Sequence, residues 1–278
     1  MQDYLSTRVN LSSPETVIAY DELPLWSAIF GLMLLKHLKL RGKIKVLDVG
    51  CGTGFPLLEL AQRLGATSTV YGIDPWEDAL GRAKFKAQVW GLQNVEFRCG
   101  DATSLPFADG HFDLIVSNLG VNNFGDPPAA LAEFRRVSKP GAKIALTTNL
   151  KGHMGEFYDV YESTLVELGK TKAIAALREH VAKRATVAGL TTLFERSGFR
   201  TSGVYEESTT MSFADGSAFL RHHFIRLGFL EGWREIIEME EEMEVFSRLE
   251  ANLNDLAEIK GSLELTIPMG YVEGERIT

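Results

Sequence analysis

The residues with the clearest chemistry lie in Asp48-Val49-Gly50-Cys51-Gly52-Thr53-Gly54. Three glycines at alternate positions let the chain turn sharply and let another molecule come close to the main chain. Such a turn between a strand and a helix aims free N–H groups at whatever docks there. The acid two residues before the first glycine narrows the choice of ligand. Its carboxylate can accept hydrogen bonds from the turn or order water near a cation, and it repels a pyrophosphate. A second acid, Asp74, follows the glycines at about the twenty-residue interval at which a carboxylate bonds ribose hydroxyls. Farther along stand Asp101, Asn118 and His153. A histidine titrating near neutrality suits proton removal, so His153 is a candidate general base, with a surface loop histidine as the plain alternative.

The neighbouring segments supply a frame for these groups. Lys43 to Val49 reads as a short buried strand, and Leu57 to Leu64 as a helix with Leu57, Leu58, Ala61 and Leu64 on one face. Thr69 to Asp74 is a second strand with its acid at the carboxyl end. Pro75-Trp76-Glu77-Asp78 opens a helix that runs to Trp90, since proline and acids are helix start signals. Strands follow at Val95 to Cys99 and His111 to Ser117, then a helix from Pro127 to Val137. Lys139-Pro140-Gly141-Ala142 reads as a turn before a fifth strand, Lys143 to Thr148. Strands alternating with helices predict a parallel sheet covered on both faces, with ligands at the carboxyl ends of the strands.

The D-x-G-x-G-x-G run resembles motif I of the class I S-adenosylmethionine (SAM)-dependent methyltransferases. The order of the other segments agrees. Asp74 matches the family's ribose acid, Gly100-Asp101-Ala102 the adenine segment, and Phe112 to Asn118 the fourth-strand motif. Leu131 to Gly141 is similar to the family's L-x-E-x-x-R-V-L-K-P-G, with Ser138 where leucine is usual. The resemblance covers residues 40–150 and lies nearest the ubiquinone/menaquinone-biosynthesis C-methyltransferases. It implies a doubly wound, Rossmann-like α/β fold with a seven-stranded sheet, SAM as cofactor and a small apolar or aromatic acceptor. The implied cofactor residues are Asp48, Gly50, Cys51, Gly52, Gly54, Asp74, Pro75, Asp101, Ala102, Asn118 and Leu119. Asn118 and His153 are the candidate catalytic residues. Tyr20, Trp26, Asn122, Phe124, His153 and Phe157 are candidate acceptor contacts, with ordinary core as the alternative for the aromatics.

Three domains are expected: a helical lead-in or lid at 1–40, a SAM-binding core at 41–150, and the rest of the sheet at 151–278. In the last, helices at about 214–260 interrupt the family's closing hairpin, as a cap or as a contact in a homodimer. The acidic run Glu238 to Glu244 reads as a solvated face. The chain has 278 residues, 45% hydrophobic and 24% charged, with net charge −8. That balance argues against nucleic acid as partner. Cys51 and Cys99 read as buried thiols rather than a disulfide or metal framework, which fits a reducing, cytoplasmic setting. No metal is expected. The apolar run Leu23 to Leu35 is too short for a membrane span. Two rival readings remain: a SAM-binding regulatory or scaffold protein without turnover, and an NAD-dependent oxidoreductase. Phe55, in place of the third dinucleotide glycine, counts against the second.

Overall fold

The computed structural model describes residues 3–6, 10, 13–22 and 25–277. Three helices come first: α1 (Asp3–Ser6), α2 (Pro14–Glu22) and α3 (Leu25–His37). An alternating stretch follows: β1 (Lys45–Val49), α4 (Leu57–Leu64), β2 (Thr69–Asp74), α5 (Glu77–Val89), β3 (Val95–Cys99), β4 (Phe112–Asn118), α6 (Pro127–Val137) and β5 (Ser138–Asn149). Next come α7 (Gly155–Glu167), α8 (Thr171–Ala182), α9 (Val187–Arg196) and β6 (Phe199–Phe213). A helical insertion holds α10 (Gly216–Arg221), α11 (His223–Ile225), a π-helical turn Arg226–Leu230, α12 (Glu231–Arg234) and α13 (Glu242–Lys260). The chain returns in β7 (Leu263–Arg276). No single described helix is long and apolar enough to cross a membrane.

The seven strands form one sheet in the order β3-β2-β1-β4-β5-β7-β6. β3, β2, β1, β4 and β5 are parallel. Only β7 runs the other way; β6, antiparallel to β7, runs in the direction of the other five. Lys143 pairs with Glu273 while Ser138 meets Arg276, and Ser202 bonds Glu273 while the N–H of Ile277 bonds the carbonyl of Gly198. The strand order reverses between β1 and β4, so the crevice at their carboxyl ends is the place where such sheets take ligands. β1 is central, and Val46, Leu47 and Val49 are buried as in strands covered on both faces.

Two local features differ from the sequence reading. Lys139-Pro140-Gly141-Ala142 is a bulge inside β5 rather than a turn before it. Phe112 faces Ser138 while Leu114 already faces Lys143, and Gly141 takes φ of +74° to make room for the extra residues. Cys99 is exposed, because it lies in edge strand β3; Cys51 is buried.

The E-x-x-R pair in α6 has a structural task. Glu133 accepts from the Leu105 N–H at 2.8 Å, and Arg136 donates to the carbonyls of Leu105 and Phe107 and to Asp109, each at 2.8 Å. Together they clamp the loop between β3 and β4. α6 starts at an N-cap, Asp126, whose side chain accepts from the Ala129 N–H at 3.0 Å, with proline in its first turn.

The described residues form two compact units: 13–148, 185–206 and 269–277 make the sheet unit, and 3–6, 10, 149–184 and 207–268 make a helical unit. The linear division expected at 1–40, 41–150 and 151–278 does not follow these lines, since α2 and α3 group with the sheet and α7 and α8 with the insertion. The helical unit has its own core. Phe157, Tyr161, Phe219, Trp233 and Phe246 are fully buried, and Trp233 lies 4.1 Å from Phe157 by ring centroids. The acidic run is only partly a solvated face: Glu242 is largely buried against Arg234, and Glu241 and Glu244 hold Lys170.

Candidate active site

The turn after β1 takes the shape that its glycines allow. Gly50, Gly52 and Gly54 have φ of +76°, +49° and +104°, a region that side chains disfavour. The N–H groups of Gly50 and Cys51 donate to the Ile73 carbonyl at 2.8 and 3.2 Å, which ties the turn to β2. A Cβ on Gly54 would press on Leu58 and Ala83, whereas around Gly52 nothing lies within 4 Å. Gly52 is therefore where the main chain stands open. Gly72 in β2 makes the close approach from the other side: a Cβ there would sit 2.5 Å from Leu57 and 2.8 Å from the Cys51 sulfur. Both neighbours are buried and cannot swing aside. Gly72→Ala is expected to lower stability by about 2 kcal/mol, the scale of core overpacking. Urea denaturation checks this, and unchanged stability would mean that α4 yields freely. Phe55, at the former third-glycine position, lays its ring over Gly31 of α3. It fills space between turn and helix.

Two carboxylates stand beneath this turn. Asp74 Oδ2 accepts from the Gly52 N–H and Oδ1 from the Trp76 N–H, each at 2.8 Å. Burial pushes its pKa above the usual range, against the pull of these two donors. Asp48 is fully buried, and neither oxygen has a hydrogen-bond partner of good geometry. Burial first, and the charge of Asp74 second, push its pKa up to about 8; the Leu57 N–H offsets only part of this. Below pH 8 such a carboxyl stays largely protonated, and a cation placed beside it would favour its ionised form. The Cys51 thiol is buried in the same place, and burial and both acids hold its pKa well above the ordinary value.

Helix α2 brings Tyr20, one of the candidate acceptor contacts, and Asp21, which local sequence does not reveal. Tyr20 packs edge-on against Trp76 at 5.4 Å, and burial and the Asp74 charge raise its pKa. It groups with the ribose-type acid rather than with an acceptor. Asp21 bonds Arg82 at 2.6 Å and also Lys86, both on α5, and reaches the Thr53 hydroxyl. Burial raises its pKa, but these donors outweigh that and hold it low.

The end of β4 forms the other wall of the crevice. The Ser117 hydroxyl donates to the Val49 carbonyl at 2.6 Å, joining β4 to β1. Asn118 is buried, and its amide is engaged from both ends: Nδ2 donates to the Ser27 carbonyl of α3 at 3.0 Å, and Oδ1 accepts from Thr147 at 2.7 Å. The side chain ties three elements together, which makes it a positioning group in this geometry. Leu119 has φ of +64°, the left-handed region, where a non-glycine residue stores about 1–3 kcal/mol of strain and often marks a functional site. Asn122 accepts from Thr148. Phe124 packs edge-on to Phe134 at 5.9 Å, on the core. Half-buried Trp26 lies beside Phe30 at 5.1 Å. Asp101 is exposed and caps its own turn, accepting from the Thr103 N–H at 2.8 Å, while Ala102 is buried. Pro75 is exposed, and its carbonyl faces the Cys99 thiol.

His153 and Phe157 belong to the helical unit. The sequence places His153 in an overhanging loop, but it is 1% exposed, and Phe229 lies 5.4 Å from its ring. Burial, and then the charge of Arg184, hold its pKa down to about 3. At neutral pH it stays uncharged and is too weakly basic for efficient proton abstraction. Phe157 is core, packed on Trp233, and not an acceptor wall.

Comparison with known proteins agrees with this geometry. The sequence model of a family described as a methyltransferase domain matches residues 40–196, more than half of the chain. The chain belongs to the class I SAM-dependent methyltransferase family. This methyltransferase-family chain is 32% identical over 145 residues to the demethylmenaquinone methyltransferase of Staphylococcus aureus, a match that spans 52% of this chain and 58% of that protein. Its fold is similar to that of a putative methyltransferase from Bacillus halodurans, with TM-score 0.58 and 20% identity over 89% of this chain and 99% of the other. The YcgJ protein of Bacillus subtilis gives TM-score 0.56 and 18% identity over 90% and 98%. These two likenesses concern the fold alone.

Proposed function

We propose that the protein transfers the methyl group of SAM to a small apolar or aromatic acceptor. The observation that carries this reading is Asp48, a buried carboxyl with no hydrogen-bond partner of good geometry, under a glycine turn whose main chain is open at Gly52. A cationic cofactor supplies what that carboxyl lacks, whereas a pyrophosphate adds repulsion. When bound, SAM supplies a methyl group activated by its sulfonium. Asp74 presents the remaining lone pairs of its two oxygens to the ribose hydroxyls while it holds Gly52 and Trp76. Tyr20 and Asp21 fix α2 beside that acid and the turn. Asn118 fixes the end of β4 and leaves Leu119 in its strained conformation.

Neutral His153 leaves transfer to depend on positioning and exclusion of water rather than on a base. The name of the Staphylococcus relative supports an acceptor of the quinol or phenol type. The residues beyond 196 lie outside the family match, and we assign acceptor choice to them. We place the enzyme in the cytoplasm, acting on small molecules and not on nucleic acid, since the net charge is −8. The test is incubation with methyl-labelled SAM and a panel of phenols and hydroquinones. Label recovered in an acceptor is the expected result. SAM binding without label transfer to any of them would favour a regulatory protein that binds the cofactor without turnover.

A further inference from the structure

At the end of the sheet away from the glycine turn lies an open groove of about 1280 Å³. Its place follows from the parallel strands: Asp109 and Gly110 precede β4, and Pro140 lies near the start of β5, whereas the glycine turn follows the end of β1. Four lining residues are arginines, Arg135, Arg136, Arg196 and Arg276, and Asp109 is the one acid among them. Asp109 is already bonded to Arg136, which is further held by Glu133 and two carbonyls. Three guanidinium charges are left over, in a chain whose net charge is −8.

Arg135 and Arg196 are exposed in the last turns of α6 and α9, on the open side of the groove. Among the described residues, neither Arg135 nor Arg196 has a carboxylate within ion-pair distance. Arg135 is laid against Gly198, where a Cβ would stand 2.4 Å from its Nε; glycine at 198 is needed for φ of +80° and also for this contact. Arg276 donates to the Ser138 carbonyl, while its Nε is buried without a hydrogen-bond partner. A buried donor of this kind calls for an acceptor. The cations are all arginine, whose planar fork suits carboxylate and phosphate oxygens bidentately, whereas lysine acts as a point charge. Leu193 and Pro128 give the same groove an apolar side.

We propose that this groove is a second ligand site, separate from the cofactor crevice, for a small organic polyphosphate. Arg135, Arg196 and Arg276 bind the phosphates, and Leu193 and Pro128 pack on the organic part. The site does not depend on the methyl-transfer reading. The test is calorimetric titration of the full chain with ATP and with inorganic tripolyphosphate, comparing wild type with Arg135→Gln/Arg196→Gln and, separately, with Arg276→Lys. S-adenosylhomocysteine is titrated in parallel, to report on the crevice alone. The inference expects both polyphosphates to bind wild type, ATP more tightly, and the double variant to lose at least tenfold with unchanged S-adenosylhomocysteine affinity. Arg276→Lys is expected to weaken ATP several-fold while the fold, checked by circular dichroism, persists. Absence of polyphosphate binding to wild type at millimolar concentration would overturn the inference. So would equal affinity in the double variant, or a single-stranded oligonucleotide binding the groove in preference to ATP.

Discussion

Asp48→Asn is expected to make the protein more stable near pH 8 and much poorer at binding SAM. The sign follows from the two states of the carboxyl. In the folded protein its pKa is about 8, whereas in the unfolded chain it is the ordinary value of about 3.9. Below about pH 4 it is protonated in both states and stability is unaffected. Between there and pH 8 the unfolded chain gives up the proton while the folded protein keeps it. Stability then falls by about 1.4 kcal/mol per pH unit, to a loss on the order of 5 kcal/mol, and levels off above pH 8. Asparagine removes that slope. Its own buried amide costs about 1–3 kcal/mol, so the net gain at pH 8 is about 2–4 kcal/mol. Urea denaturation of both proteins at pH 5.5 and pH 8 checks this. Parallel pH profiles would mean that Asp48 titrates normally. SAM affinity is expected to fall at least tenfold in the variant, because the neutral amide offers no countercharge.

The second large effect is at Asp74. Asp74→Ala removes the acceptor of the Gly52 and Trp76 N–H groups together with the proposed ribose contact. SAM affinity is expected to drop about 100-fold, the scale of two charge-assisted hydrogen bonds, and at least tenfold. Stability falls by only about 1–2 kcal/mol, because burial already makes the ionised form costly and partly offsets what the two donors contribute. Asp74→Asn keeps an acceptor for one donor and should recover stability but not affinity. The two acids are coupled, since the charge of Asp74 helps to raise the pKa of Asp48. Asp74→Ala should therefore also move the pH slope assigned to Asp48 downward, and the effects of a double variant should not add. Unchanged SAM affinity in Asp74→Ala would remove Asp74 from the site.

Much of the sheet unit was legible in the sequence because its signals are local. Strands β1, β2, β3 and β4 are short apolar or β-branched runs, and the glycine turn and the start of α5 carry their own residue signatures. The bulge in β5 was not legible, since proline and glycine together read as a turn and only pairing with β4 shows that the strand continues. β6 and β7 run longer than their apolar cores, because their polar halves lack a distinctive pattern. The glycine turn, Asp74 and Asn118 lie at the carboxyl ends of β1, β2 and β4, but their surroundings do not follow from the motif. Asp21 meets Arg82, Lys86 and Thr53 across long stretches of chain, and no spacing rule finds such a set. The Lys151-Gly152-His153 sequence looks like an exposed loop, yet packing against Phe229 buries the imidazole. Asn118 reads as a candidate catalytic and cofactor residue, and only the fold reveals that Ser27 and Thr147 occupy its amide.

The glycine turn with Asp48 is expected to bind a cationic sulfur nucleotide. Calorimetric titration of the wild-type protein with SAM at pH 7, in buffers of different ionisation enthalpy and with NAD as control, tests it most directly. The expected result is micromolar SAM binding with release of about one proton, no NAD binding, and loss of the proton release in Asp48→Asn. NAD binding in place of SAM, or SAM binding with no proton released, would contradict the account of Asp48 and of the crevice built around it.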